Sequence, residues 1–195
     1  MSKITSLSQL DPDGYYTYQD YLSWKFEDRV ELFKGWIAKM SPAPNRRHQA
    51  ISSALHGLIW SQLRHDTCQV FSAPFDVRLP VSQKKGHSDT VVQPDIVVIC
   101  DDSKLDDQGC NGAPDLVIEI LSPGNSNREM KQKFDLYEAS LVSEYWIVDP
   151  ERQDVLVYTL GDENVYIGSR PYLSGDILKV TCIEDLEIDL EVIFK

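Results

Sequence analysis

Leu116-Val117-Ile118-Glu119-Ile120-Leu121 is an apolar run holding a single carboxylate, and it constrains the fold more than any other stretch of the chain. It is far short of the ~20 residues that span a bilayer. Its aliphatic and β-branched content, with proline close by on both sides, reads as a strand buried on both faces. Glu119 is then a problem the fold must solve. A buried carboxylate has to be paired, protonated or bound to a cation, because an isolated buried charge is very costly. A structural ion pair, or a strand end open to solvent, accounts for it as well as a functional site does.

The remaining segments supply partners for such a strand. TYQDYLSW (17–24) predicts a short helix capped by Thr17, and RVELFKGWIAKM (29–40) a bent strand or a hairpin around Gly35. SPAPN (41–45) punctuates the chain. Between Arg46 and Arg64, Ile51, Ala54, Leu55, Leu58 and Ile59 recur at helical steps, with Asn45 as the cap. Extended segments are expected over 68–79, 91–99 and 115–121, with an acidic, turn-rich loop before the last. Residues 127–140 read as a helix with Met130, Phe134 and Tyr137 on one face, and 143–149 as a strand. Short alternating segments, ending in LEIDLEVIF, predict antiparallel strands that finish the sheet. The order predicts one mixed α/β domain over residues 1–195 with a central sheet.

The net charge of −12 argues against broad, nonspecific nucleic-acid binding, which relies on Lys and Arg neutralising phosphates. It leaves room for a local site where a divalent metal and a few cations dominate one cleft. The N-terminus lacks the apolar stretch of a secretory signal. Cys68, Cys100, Cys110 and Cys182 show no zinc spacing, and Cys68 and Cys100 are expected as free thiols packed in apolar runs. That usage points to a reducing cytoplasm. There is no P-loop, GxGxxG, GxSxG or HExxH motif.

Asp95 tilts the reading of Glu119. It follows Pro94 at the start of Ile96-Val97-Val98-Ile99, so a second greasy run also carries an acid. Alone, Asp95 is a turn residue after proline. As a pair on neighbouring strands, the two acids can converge on a hard divalent cation such as magnesium. Lys133 follows on the next helix, one turn from Tyr137, which places it beside the sheet; a plain exposed lysine is the ordinary alternative. Glu31 is a weaker candidate for a further carboxylate ligand. His48 lies on the buried stripe of its helix, where a hydrogen-bonded core histidine is the commoner outcome.

VQPDIVVI, PDLVIEILSP and NREMKQKFDLYEASLVSEYWIVDP, in that order, resemble the "putative restriction endonuclease" family of bacteria, a domain-of-unknown-function type within the PD-(D/E)XK nuclease superfamily. VELFKGWIAKMSPAPNRRH and the SGDIL…LEIDLEVIF ending extend the likeness over nearly the whole chain. The resemblance implies a restriction endonuclease-like mixed sheet flanked by helices, and magnesium- or manganese-dependent cleavage of DNA. Pro94-Asp95 matches the PD element and Glu119 the following acid; Glu31 and His48 match further polar positions. The superfamily lysine stands two residues after the acid, where this chain has Leu121. The family pattern brings a lysine from the next helix, here Lys133, with Lys131 as the fallback. Glu129 matches a further acid and serves the helix start.

On that reading Asp95, Glu119 and the carbonyl of Ile120 hold the metal, Glu31 adds a ligand or holds a water, and Lys133 orients the attacking water. Two other functions stay open. One is a nuclease fold kept as a non-catalytic binding or regulatory module, supported by the acidic balance and by Leu121. The other is a metal-dependent phosphohydrolase of small molecules, which an acidic surface tolerates better than a long polyanion. Nucleases that cut both strands often pair, so a homodimer is expected with the first reading; no membrane partner is.

Overall fold

The computed structural model describes residues 4–40, 44–84, 86–123 and 127–195. The break expected over 41–45 falls mostly outside them. Two helices form where caps and periodicity agree. Thr17 accepts from the Asp20 amide and Asp20 returns the bond in a capping box, starting α1 (Tyr18–Ser23). Asn45 accepts from the His48 amide at 2.9 Å and starts α2 (Arg46–Leu63). Between them, β1 (Val30–Phe33) and β2 (Trp36–Lys39) make a hairpin. Its turn residues, Lys34 and Gly35, have φ of 53° and 86°, the left-handed region that a tight hairpin turn uses.

After α2 come β3 (Gln69–Ser72), β4 (Val77–Arg78), β5 (Val91–Val92), β6 (Ile96–Ile99), β7 (Leu105–Asp106), β8 (Gly109–Asn111) and β9 (Leu116–Ile120). Then follow α3 (Asn127–Ala139), β10 (Glu144–Asp149), β11 (Asp154–Leu160), β12 (Tyr166–Gly168), β13 (Tyr172–Leu173), β14 (Ile177–Lys179), β15 (Glu187–Asp189) and α4 (Leu190–Ile193). The main sheet runs β12-β11-β10-β9-β6-β3, with β13 on β11. Among the described residues only β9 and β10 are parallel in it, with α3 between them in the chain, so the sheet is mixed. A second mixed sheet runs β2-β1-β5-β4-β8-β7, and β14 pairs with β15.

β9 is interior to the main sheet, between β6 and β10, which is why its sequence is apolar throughout. Leu116, Ile118 and Ile120 pack with Ile51, Leu55 and Ile59 of α2. Val117 faces the other way, with Val97, Leu136 and Tyr137. Each such side chain contributes about 1.5–3 kcal/mol on full burial. α2 and α3 thus cover opposite faces.

Five expectations need correction. The segment 68–79 is divided: β3 (to Ser72) lies in the main sheet and β4 (from Val77) in the second, with Pro74 and Asp76 between them. The segment 91–99 is not one strand: Gln93-Pro94-Asp95 divides it, and β5 and β6 belong to different sheets, because proline offers no ladder hydrogen bond. The acidic loop before β9 contains β7 and β8. The two form a tight hairpin, Leu105 opposite Cys110, that docks on a distant strand: β8 lies parallel to β4, and a Cβ at Gly109 would collide with the carbonyl of Asp76. LEIDLEVIF is a strand only as far as Asp189, whose side chain caps α4 by accepting from the Glu191 amide. Finally, Cys68 and Cys100 are joined in a disulfide rather than free. They flank the Gln69–Ile99 pair of β3 and β6 and so stand opposite each other, and the thiol argument for a reducing compartment falls with them. Cys110 and Cys182 are free. Among the described residues no helix is long and apolar enough to cross a membrane.

Candidate active site

β6 and β9 are antiparallel, with Ile96 opposite Ile118. One step further, the same register sets Asp95 against Glu119. Glu119 alternates with Ile118 and Ile120, so its side chain leaves the sheet on the α3 face. There Lys133 donates to its Oε1 at 2.8 Å and Tyr137 donates its hydroxyl to the same oxygen at 2.6 Å. Lys133 and Tyr137 are one helical turn apart, and both are buried. The ammonium also lies 3.6 Å from Oε1 of Glu31, on β1. Glu31 is buried and accepts the Gln93 amide at 2.9 Å. The break between β5 and β6 therefore brings the two sheets together at the acids.

Asp95 is held differently. Its Oδ2 accepts the Ile120 amide at 2.8 Å and lies 3.2 Å from Nε2 of buried His48. A carboxylate can only accept here, so Nε2 carries the proton. His48 thus reaches around from α2 to orient an acid, more than the plain core histidine its position suggested. Burial opposes charging of the His48 ring, but the Asp95 carboxylate outweighs it and raises the pKa above the ordinary value.

The electrostatics follow from three carboxylates around one ammonium. Lys133 is desolvated, yet Glu119 and Glu31 hold its pKa well above the ordinary range. It stays charged and cannot serve as a general base. Glu119 is pushed up to about 7, first by burial and then by Asp95 and Glu31, against the pull of Lys133. The cluster has more negative charge than its one lysine offsets, and a dication would relieve that. Tyr137 is kept protonated by burial and by Glu119, and remains a donor.

Asp95 and Glu119 each have one oxygen taken by the protein. Among the described residues, Oδ1 of Asp95 and Oε2 of Glu119 accept no hydrogen bond. Two spare carboxylate oxygens suit a hard cation of the magnesium kind, which keeps several waters and needs few protein ligands. Among the described residues no three His, Cys, Asp or Glu side chains are grouped so that they could hold a metal ion together. Asp95, Glu119, Ile120, Glu31, His48 and Lys133 all line one recess of about 70 Å³, together with Glu129.

Lys131 is elsewhere: it is exposed and pairs with Asp135 at 2.9 Å. Leu121 packs in the apolar cluster under α3. Two residues went unassigned by sequence reasoning. Tyr137 was legible only as an inward helical position, not as a donor to Glu119. The side chain of Gln93 accepts from Arg29 at 3.0 Å and donates to Asp76 at 2.8 Å, bonds no local pattern signals.

Mixed sheets flanked by helices, with two acids meeting at the ends of neighbouring strands and a lysine from the next helix, define a nuclease-like α+β protein. The chain belongs to the Uma2 family, described as "Putative restriction endonuclease", whose family model matches residues 18–191. It is 24% identical over 180 residues to the uncharacterized protein slr1290 of Synechocystis, covering 91% of this chain and 90% of that one. It shares its fold with a putative nuclease belonging to DUF820 from Anabaena variabilis, with a TM-score of 0.71 and 21% identity over 92% of this chain and 97% of the other.

Proposed function

We propose that this protein is a metal-dependent endonuclease that hydrolyses DNA phosphodiester bonds at the recess between Asp95 and Glu119. The observation that carries this reading is the pair of opposed acids, each with one oxygen saturated by the protein and the other left over, beside an ammonium 2.8 Å from Glu119. Asp95, the spare oxygen of Glu119 and the carbonyl of Ile120 would hold magnesium or manganese, with Glu31 as a further ligand or a holder of water. The metal supplies a bound water of lowered pKa and draws charge from the phosphate.

The chain's own groups do the rest. His48 and the Ile120 amide fix one oxygen of Asp95, so the other is presented in one orientation. Tyr137 and Lys133 do the same for Glu119. Lys133, permanently charged, offsets negative charge developing on the phosphate and orients the water, a role such positioned cations fill. Glu31 keeps the ammonium in place from its other side.

Plasmid nicking in magnesium or manganese tests this directly. Wild-type protein should nick and Asp95→Asn should not; full metal-dependent nicking by Asp95→Asn would sink the assignment. Calorimetric titration with manganese separates the non-catalytic module, which would give no heat whether or not Glu119 is intact.

A further inference from the structure

A second recess opens beside the first and shares Arg29, Pro44 and Asp95 with it. Its volume is about 420 Å³, within the ~300–1,000 Å³ typical of sites that enclose small molecules. The first recess, about 70 Å³, has room for an ion and a few waters only. Whatever carries the cleaved phosphate must therefore lie outside it.

The wall of the larger recess is one face of α2, with Gln49, Ser52, Ser53, His56 and Gly57, and Ser72 opposite. His56 and Ser72 meet at 2.7 Å from Nδ1 to Oγ, which fixes the imidazole across the recess. Gly57 lies in the interior of α2, where glycine weakens a helix relative to alanine. Nothing in the fold asks for it. Among the described residues a Cβ at Gly57 would meet no atom within 4 Å, and its backbone is not among those with positive φ. Gly57 is exposed at the edge of the recess, so the helix backbone there is open to close approach by a ligand.

Among the described residues, Arg29 and Asp95, both at the shared boundary, are the Lys, Arg, Asp or Glu side chains in the lining. Serines, a glutamine and an imidazole suit the hydroxyls and polar edges of a nucleoside. A second phosphate would want cations, and a chain of net charge −12 has few to spare. We infer that this recess seats one unstacked nucleotide, sugar and base, next to the cleaved phosphate, with Arg29 meeting the phosphate between the two recesses. The inference rests on the nuclease reading and adds a substrate preference: strands with an unpaired nucleotide over intact duplex.

The test is anisotropy with a fluorescein-labelled single-stranded decadeoxynucleotide in calcium, on wild-type protein and on Gly57→Leu. Gly57→Leu should raise Kd at least tenfold, while Gly57→Ala should raise Tm by about 2–4 °C through its helix preference. A decamer with every base replaced by tetrahydrofuran keeps the phosphates and should bind wild-type protein at least tenfold more weakly, which needs no variant to fold. Equal binding of the abasic strand, an unchanged Kd for Gly57→Leu, or no wild-type binding would overturn the subsite. If the decamer is cleaved in manganese but its Kd ignores Gly57→Leu, the subsite fails and the nuclease stands. If Gly57→Leu weakens binding and no strand is ever cleaved, the nuclease reading fails and the subsite stands.

Discussion

Lys133 Nζ lies 2.8 Å from Oε1 of Glu119, across 14 residues of chain and from helix to strand, with both groups buried. Removing one member of such a pair leaves the other charge stranded. Lys133→Met should therefore destabilise the fold by about 3–5 kcal/mol in denaturant unfolding. It should also lower nicking by about 10²–10³-fold, as loss of one positioned donor does. Lys131→Ala should leave nicking unchanged, since Lys131 is exposed and bonded to Asp135. The reverse pattern would move the cationic role to Lys131.

Protonation of Glu119 should govern metal affinity. With its pKa pushed up to about 7, the carboxyl is largely protonated at pH 6 and must lose that proton to ligate. Manganese affinity should rise about tenfold per unit below pH 7 and flatten above it, read by calorimetry between pH 5.5 and 8.5. The stability sign is the opposite. The folded state holds a proton that the unfolded chain releases above the ordinary value of 4.5. The Glu119 contribution is thus complete below 4.5 and lost as pH rises through about 7. A flat affinity profile would contradict this account.

Tyr137→Phe removes a hydroxyl 2.6 Å from Glu119 and changes little else in shape. The buried carboxylate then has one donor fewer, a loss of about 1–3 kcal/mol. Its ionised form is less favoured, so the rise in manganese affinity should move to higher pH. A profile superimposable on wild type would show that Tyr137 does not support Glu119.

His48→Leu keeps an apolar filling on the α2 face while releasing Oδ2 of Asp95. Groups that orient a ligand typically account for 10–100-fold in metal affinity. Manganese titration should show a loss in that range with the unfolding midpoint little changed. Affinity within twofold of wild type would return His48 to the role of a packed core residue.

Much of the architecture was legible because it is written locally. Helices α2 and α3 follow from apolar periodicity, and Thr17 and Asn45 act as caps where short polar side chains meet free amides. β9 was legible from its uninterrupted apolar character, and Asp95 and Glu119 stood out as the acids that such runs must explain. The disulfide, the docking of β8 on β4 and the splits of 68–79 and 91–99 between two sheets were not, because each depends on which distant strand lies alongside.

The sequence by itself determined that one acid would sit within a buried strand and another at the head of its neighbour, with a lysine on the following helix, since composition and spacing along one chain decide burial and helix face. Only the tertiary structure decided that Gln93 would tie Glu31 to the cluster, that His48 would turn to Asp95, and that Gly57 would front an open recess. Those outcomes turn on hydrogen bonds and gaps between segments tens of residues apart, whose energies depend on mutual distance and orientation, and no local pattern encodes either.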